Sequence, residues 1–250
     1  MKLSVFCILF FGFLFCACNG ISGKEDSKLA EAIQIQGEAF LMQGDYTAAL
    51  SRLMEARKMR PDDPYLLNSL GLAYMGKNRD DLAIPVFKTA LTLKPDYTEA
   101  LNNLGAAHLR RKEWDQAIPV FKEALKDLLY PTPQFPLSNL GWAYLETQNY
   151  ALAESYFSQA LDISPGFVAA SHGLSRVFLE TWREKEAIDF LKTCLQEHPE
   201  AARLHADLAR AYEATGWMDE ARQSWQNVLQ YAKGNAELKK EARARLSAID

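Results

Sequence analysis

A Leu-Gly pair or its near equivalent recurs along this chain at Gly37, Gly71, Gly105, Gly141, Ser175 and Ala209, at intervals of 34, 34, 36, 34 and 34 residues. A fixed period of this kind means one small unit repeated. Such a unit cannot bury its own apolar face and must stack on its neighbours to build a core. The period occupies nearly all of the chain after residue 30, which leaves no stretch long enough for a separate catalytic domain. Only a short N-terminal segment lies outside it.

The second unit carries the pattern most clearly, with Leu67, Leu70, Gly71 and Tyr74 followed by Ala83, Phe87, Ala90 and Pro95. Leu70 and Tyr74 are four apart, as are Ala83 and Phe87, so each pair shares one helix face and the unit is two amphipathic helices. Gly71 and Ala83 are small enough to let those helices approach closely, while Tyr74 and Phe87 fill the space around them. Turns between helices fall at Gly44-Asp45, Lys77-Asn78, Lys112-Glu113, Gln148-Asn149 and Gly216-Trp217. Pro61, Pro95, Pro165 and Pro199 close their units, because proline lacks the backbone donor that a helix interior needs. Pro85 and Pro119 depart from this rule, lying two residues after the small alanine of the second helix. Those helices are expected to start late or to bend there.

This set of residues resembles the tetratricopeptide repeat, whose pattern is Trp-x2-Leu-Gly-x2-Tyr, then Ala-x3-Phe, then Pro. The resemblance implies an all-α superhelical solenoid of six helix-turn-helix repeats at 30–63, 64–97, 98–133, 134–167, 168–201 and 202–235. A polar capping helix is expected over 236–250, where Lys239, Lys240, Glu241, Arg243 and Arg245 cluster.

Met1 and Lys2 precede the apolar run Leu3 to Phe15, after which comes Cys16-Ala17-Cys18-Asn19. The run is shorter than the roughly 20 residues of a membrane span. Its positive start, apolar middle and small residue before the cut fit an export signal over 1–17. Phe15-Cys16-Ala17-Cys18 resembles the bacterial lipobox, which implies cleavage before Cys18 and lipidation of its sulfur. The departures are Phe15, where an aliphatic residue is usual, and Cys16, where a small one is. An ordinary cleaved signal is the other reading. Residues 18–29 then form a lipid-anchored polar tether. Asn19 is not the aspartate that favours inner-membrane retention, so outer-membrane placement facing the periplasm is expected.

No motif carries a reaction, and the chain is read as non-enzymatic with no cofactor, metal or small-molecule substrate. His108, His172, His198 and His205 fall in different units without metal-ligand spacing. His108 stands at the Tyr position of the repeat and reads as structural. Cys194 occupies the column of Ala56, Ala90, Ala124 and Ala160 and reads as a small core residue. With 28 Lys and Arg against 32 Asp and Glu, the chain lacks the basic excess that a nucleic-acid partner calls for.

In tetratricopeptide arrays the first helices of the repeats line a concave groove, commonly through positions 2, 5, 9 and 12. Carried onto this chain, the resemblance implies Tyr65, Asn68, Leu72 and Met75 from the second unit, and Asn102 and Leu109 from the third. Phe135, Trp142 and Leu145 follow from the fourth, His172 and Arg176 from the fifth, and Arg203 and Arg210 from the sixth. Large apolar and arginine side chains dominate most interfaces, so a protein segment with apolar anchors and some acidic groups is expected there. Phe135 and Trp142 could equally pack between units. A clamp for a C-terminal carboxylate is rejected: Asn68 and Asn102 are present but its lysines are not.

The 36-residue step contains Leu129-Tyr130-Pro131, followed by Asn139-Leu140-Gly141. Six tetratricopeptide repeats on a lipidated N-terminus, with this extension between the third and fourth, resemble the PilF/PilW/Tgl family of type IV pilus lipoproteins. That resemblance implies a pilotin, which binds secretin subunits and promotes their outer-membrane localisation and multimerisation. The alternative of the same fold is a general periplasmic scaffold for cell-wall hydrolases or outer-membrane assembly.

Overall fold

The computed structural model describes residues 27–249, and within them every regular element is a helix. The signal segment 1–17, Cys18 and most of the tether lie outside the described residues. Two compact units divide the chain, the first ending at Glu113 and the second beginning at Trp114. In the first, α1 covers 27–43, α2 Tyr46–Met59, α3 Pro64–Gly76, α4 Asp80–Leu93 and α5 Thr98–Arg110. In the second come α6 Trp114–Ala124, α7 Gln134–Glu146, α8 Tyr150–Ile163, α9 Val168–Glu180, α10 Glu184–Glu197, α11 Ala202–Thr215, α12 Met218–Tyr231 and α13 Ala236–Ile249. The helix α1 takes in residues 27–29 at the edge of the segment read as a tether.

The column of small residues and the column of large ones explain why the helices pair. Ala49, Ala83, Ala117, Ala153, Ala187 and Ala221 have no exposed surface, nor do Leu53, Phe87, Phe121, Phe157, Leu191 and Trp225 four positions later. Leu53, Phe87 and Phe157 sit against the glycine 16 positions before them. A Cβ added to Gly37 would stand 2.7 Å from Leu53, one on Gly71 2.4 Å from Phe87, and one on Gly141 2.6 Å from Phe157. Glycine is therefore required by the close approach of the partner ring, beyond any turn geometry. Phe157 is gripped from the next repeat as well, since a Cβ on Gly173 would lie 2.2 Å from its ring. Burying one such phenylalanine contributes roughly 1.5–3 kcal/mol.

The turn within each repeat places one residue in the left-handed region, with φ of 76° at Gly44, 58° at Asn78, 60° at Lys112, 59° at Gln148, 60° at Trp182 and 80° at Gly216. These positions keep the period of the chain. The next residue often caps the second helix, as when Asp45 Oδ1 accepts from the Ala48 amide at 3.0 Å and Asn149 Oδ1 from the Leu152 amide at 3.3 Å. At the repeat junction, Asp63 Oδ1 accepts from the amides of Tyr65 and Leu66, and its carboxylate pairs with Arg60.

Neither Pro85 nor Pro119 delays its helix. Both lie inside, at the sixth residue of α4 and of α6. Each ring removes one donor, such as the bond residue 85 would send to the Asp81 carbonyl. The apolar contacts of Ala83, Phe87 and Ala90, and of Ala117, Phe121 and Ala124, hold these helices across the gap.

Candidate functional site

In the first unit the inner helices carry a mostly polar surface. Tyr65 is about half exposed, and its ring meets that of Tyr97 edge-on at 5.0 Å. Lys94 Nζ donates to the Tyr65 hydroxyl at 2.8 Å and lies 4.8 and 5.2 Å from the two ring centroids. Tyr97 is buried, which pushes its phenol up to about 12, with the charge of Glu99 adding to the shift. Beside it, Asn68 Oδ1 accepts from Asn103 Nδ2 at 2.9 Å, and Glu38 Oε1 accepts from Ser69 Oγ and Gln34 Nε2.

Several residues expected to line a groove here are taken up by the fold. Asn68 is 7% exposed and committed to its bond with Asn103, and Met75 is buried. Leu72, Asn102 and Leu109 are partly exposed. The position rule takes no account of what the neighbouring repeat lays over a helix face. His108 is buried, with Nδ1 2.6 Å from Glu113 Oε2.

In the second unit, α7, α9, α11 and α13 bring a denser set of groups together. Phe135 is exposed at its outer edge and packs edge-on against Phe167 at 5.1 Å. Trp142 lies between Phe157 at 5.4 Å and His172 at 5.0 Å. Each of these aromatic residues packs between repeats and keeps an accessible face. Leu145 is buried and presents little surface.

The centre of this unit is Asp207, which has no exposed surface. An ionised carboxylate only accepts hydrogen bonds, and donors surround this one. His172 Nδ1 lies 2.5 Å and Ser175 Oγ 2.9 Å from Oδ2, while Arg210 Nη1 reaches Oδ1 at 2.8 Å. The other side of the Arg210 guanidinium grips Glu241 of α13, with Nη2 at 2.8 and 2.9 Å from its two oxygens. One chain of bonds thus ties α9, α11 and α13. Ser175 is bonded to the carboxylate, whereas a nucleophile relay needs the hydroxyl on the imidazole.

Above this network opens a cleft of about 480 Å3 whose lining includes His172, Arg176, Arg203, Arg210, Lys240 and Glu241. Four residues expected from the sequence, His172, Arg176, Arg203 and Arg210, meet in it. Sequence reasoning missed the contribution of α13 and the buried Asp207. The available signal was a charged residue directly before the Leu208-Ala209 pair of the sixth repeat. Cys194 is half-buried, unlike the fully buried alanines of its column. Burial still pushes its thiol up, against a hydrogen bond with Ser171, so the reactive thiolate is disfavoured. Among the described residues no group of three potential ligands could hold a metal, and no helix is long and apolar enough to cross a membrane.

Stacked helix pairs whose inner helices present the accessible aromatic and charged groups define a helical-repeat interaction module. Three family models, each describing the tetratricopeptide repeat, match residues 36–98 and 81–129, 135–167, and 183–246. The chain belongs to the tetratricopeptide-repeat proteins. Among solved structures it is similar to PilW, described as a widely conserved type IV pilus biogenesis factor, at 23% identity and a TM-score of 0.75 over 85% of this chain and 98% of that one. It is also similar to Pseudomonas aeruginosa PilF, at 20% identity and 0.71 over 88% and 99%. A tetratricopeptide repeat protein from Parabacteroides merdae follows at 20% and 0.66 over 88% and 90%. At such identities the likeness is one of fold. No curated protein matches the sequence significantly.

Proposed function

We propose that this protein is a pilotin of type IV pilus biogenesis, an outer-membrane lipoprotein facing the periplasm that binds secretin subunits and promotes their multimerisation. The observation that carries the reading is end-to-end likeness: the fold spans 98% of PilW and 99% of PilF. The export signal with Cys18 and the extension at Tyr130-Pro131 add to it. Tyr130 is buried while Leu128 and Leu129 are almost fully exposed, so the extension is pinned by its tyrosine and displays an apolar tip. A multiply acylated Cys18 would give the stable anchoring that a single chain does not.

Two measurements test this. Cys18→Ser is expected to release the protein from the membrane fraction, and unchanged membrane association would remove the lipoprotein claim. Deletion of the gene is expected to abolish secretin multimers in detergent-solubilised envelopes; normal multimers would falsify the pilotin role. The comparable coverage of the Parabacteroides merdae protein favours a second reading, a general periplasmic scaffold. Affinity capture from envelopes separates the two by the partner recovered.

A further inference from the structure

The turn of the fifth repeat holds a residue that neither packing nor backbone preference accounts for. Trp182 is 85% exposed with φ of 60°, and its indole makes no hydrogen bond or ring contact among the described residues. The corresponding turns use Gly44, Asn78, Lys112, Gln148 and Gly216. A bulky side chain in the left-handed region costs stability with no burial to offset it, and such outliers collect at binding sites. The turn beneath the indole is fixed. Arg183 Nη1 donates to Glu154 at 2.7 Å, its Nε and Nη2 donate to Glu186 at 2.9 and 2.8 Å, and its guanidinium lies 4.5 Å from the Phe178 ring centroid. The sixth repeat stacks on the fifth, and its turn continues the same edge with Trp217 and Met218, each nearly half exposed.

This edge is negatively charged. One guanidinium, that of Arg183, serves both Glu154 and Glu186, while Glu184 and Lys185 form no ion pair among the described residues. Asp219 is paired with Arg222, and Glu220 beside it has no ion pair there. Glu146 and Glu180 share a small cleft with Arg176, which pairs with Glu180. Each of these three groups therefore has one carboxylate in excess.

We propose that this turn edge is a docking surface for a basic polypeptide segment, with Trp182 as its anchor. A lysine or arginine of the segment lies on the indole face, and neighbouring cations meet Glu184 and Glu220. The inference rests on the reading of the chain as a protein-binding scaffold and is independent of the pilus assignment. The edge is built from the turns within repeats, so it is separate from a groove lined by first helices. Two features select a cationic occupant independently: the negative face of an exposed indole and the excess of carboxylates around it. Because the turn is already fixed by Arg183, little ordering is lost when the anchor is engaged. Tryptophan also suits a lipid interface, but insertion of this edge would press Glu184 and Glu220 against headgroup phosphates. A neutral sugar stacks on an indole yet leaves the excess charge unanswered. A second copy of the same edge would bring like charges together.

The test uses an array of random dodecapeptides probed at low salt with the purified protein, Trp182→Gly, the double variant Glu184→Lys/Glu220→Lys, and the control Glu200→Lys. Glu200 is exposed beyond the far end of α10, at a junction between repeats. Peptides retained by the wild type and the control are expected to be enriched in Lys and Arg, with binding roughly tenfold weaker to Trp182→Gly and to the double variant, and weakened by salt. A melting temperature of Trp182→Gly at or above that of the wild type separates lost binding from lost folding, and circular dichroism does the same for the double variant. No basic enrichment overturns the proposal, as does undiminished binding by either variant. So does binding to phosphatidylethanolamine vesicles or to a chitin oligosaccharide that needs Trp182 while the array shows no selectivity. Because the probe is synthetic, failure here leaves the secretin assay untouched, and failure of that assay leaves the turn edge standing.

Discussion

At the scale of single residues, Asp207 has the largest predicted effect. A buried carboxylate is tolerated only when its acceptor sites are filled, and removing it strands the groups that faced it. Asp207→Ala is expected to cost about 3 kcal/mol, less if Arg210 swings out to water, as measured by urea denaturation. His205 supplies a pH dependence. Burial holds its imidazole below the ordinary 6.5, opposed by the bond to the Pro199 carbonyl. As pH falls, the unfolded chain takes up this proton first, so stability is complete above 6.5 and is lost on descending from there toward the lower folded value. His205→Phe, which keeps a ring against Tyr231, should flatten that loss; a thermal melt series from neutral to mildly acidic pH checks it. His172 and Arg210 were legible in the sequence as separate members of a groove. Their common partner was not. Asp207 is buried only because the fifth repeat and α13 close over it, and a pattern confined to one repeat contains no such information.

At the scale of helices, the fold follows from a knob and a hole 16 residues apart. Gly71→Ala gains helix propensity of about 1 kcal/mol, but its methyl would enter the Phe87 ring at 2.4 Å. The net expectation is destabilisation by about 1–3 kcal/mol, read from the denaturation midpoint. The paired columns were readable because they repeat in register with the chain period. The fifth turn was not readable in this way. Gly44 and Gly216 announce a left-handed residue, whereas Trp182 adopts the same conformation with nothing in its type to signal it. Trp182 is 85% exposed, so little packing is lost when it is replaced. Trp182→Gly is therefore expected to stabilise the protein by about 0.5–1 kcal/mol through relief of left-handed strain, offset in part by glycine's freedom in the unfolded chain. An unchanged melting temperature would show that the strain is absorbed elsewhere. Pro85 and Pro119 mark the limit of local rules, since tertiary contacts keep α4 and α6 helical through a residue that lacks a donor.

At the scale of the whole molecule, a stacked array needs an ending that hides its last apolar face. Ala242 of α13 is fully buried in a cluster with Trp225 and Val228, while Leu238, Leu246 and Ile249 pack around it. Removal of residues 236–250 is expected to expose that cluster, lower the melting temperature and promote self-association detectable by light scattering. Class and repeat number could be read from the chain, because a long period leaves few architectures. The candidate site could be read only in part, because its second wall comes from α13, which lies outside the period. That helix seals the core on one face and borders the cleft on the other, joined to α11 through the grip of Arg210 on Glu241. Occupancy of the cleft and closure of the C-terminal end are for that reason thermodynamically linked: a ligand contacting α13 protects its amides from hydrogen exchange, and fraying of α13 weakens the ligand by the same factor.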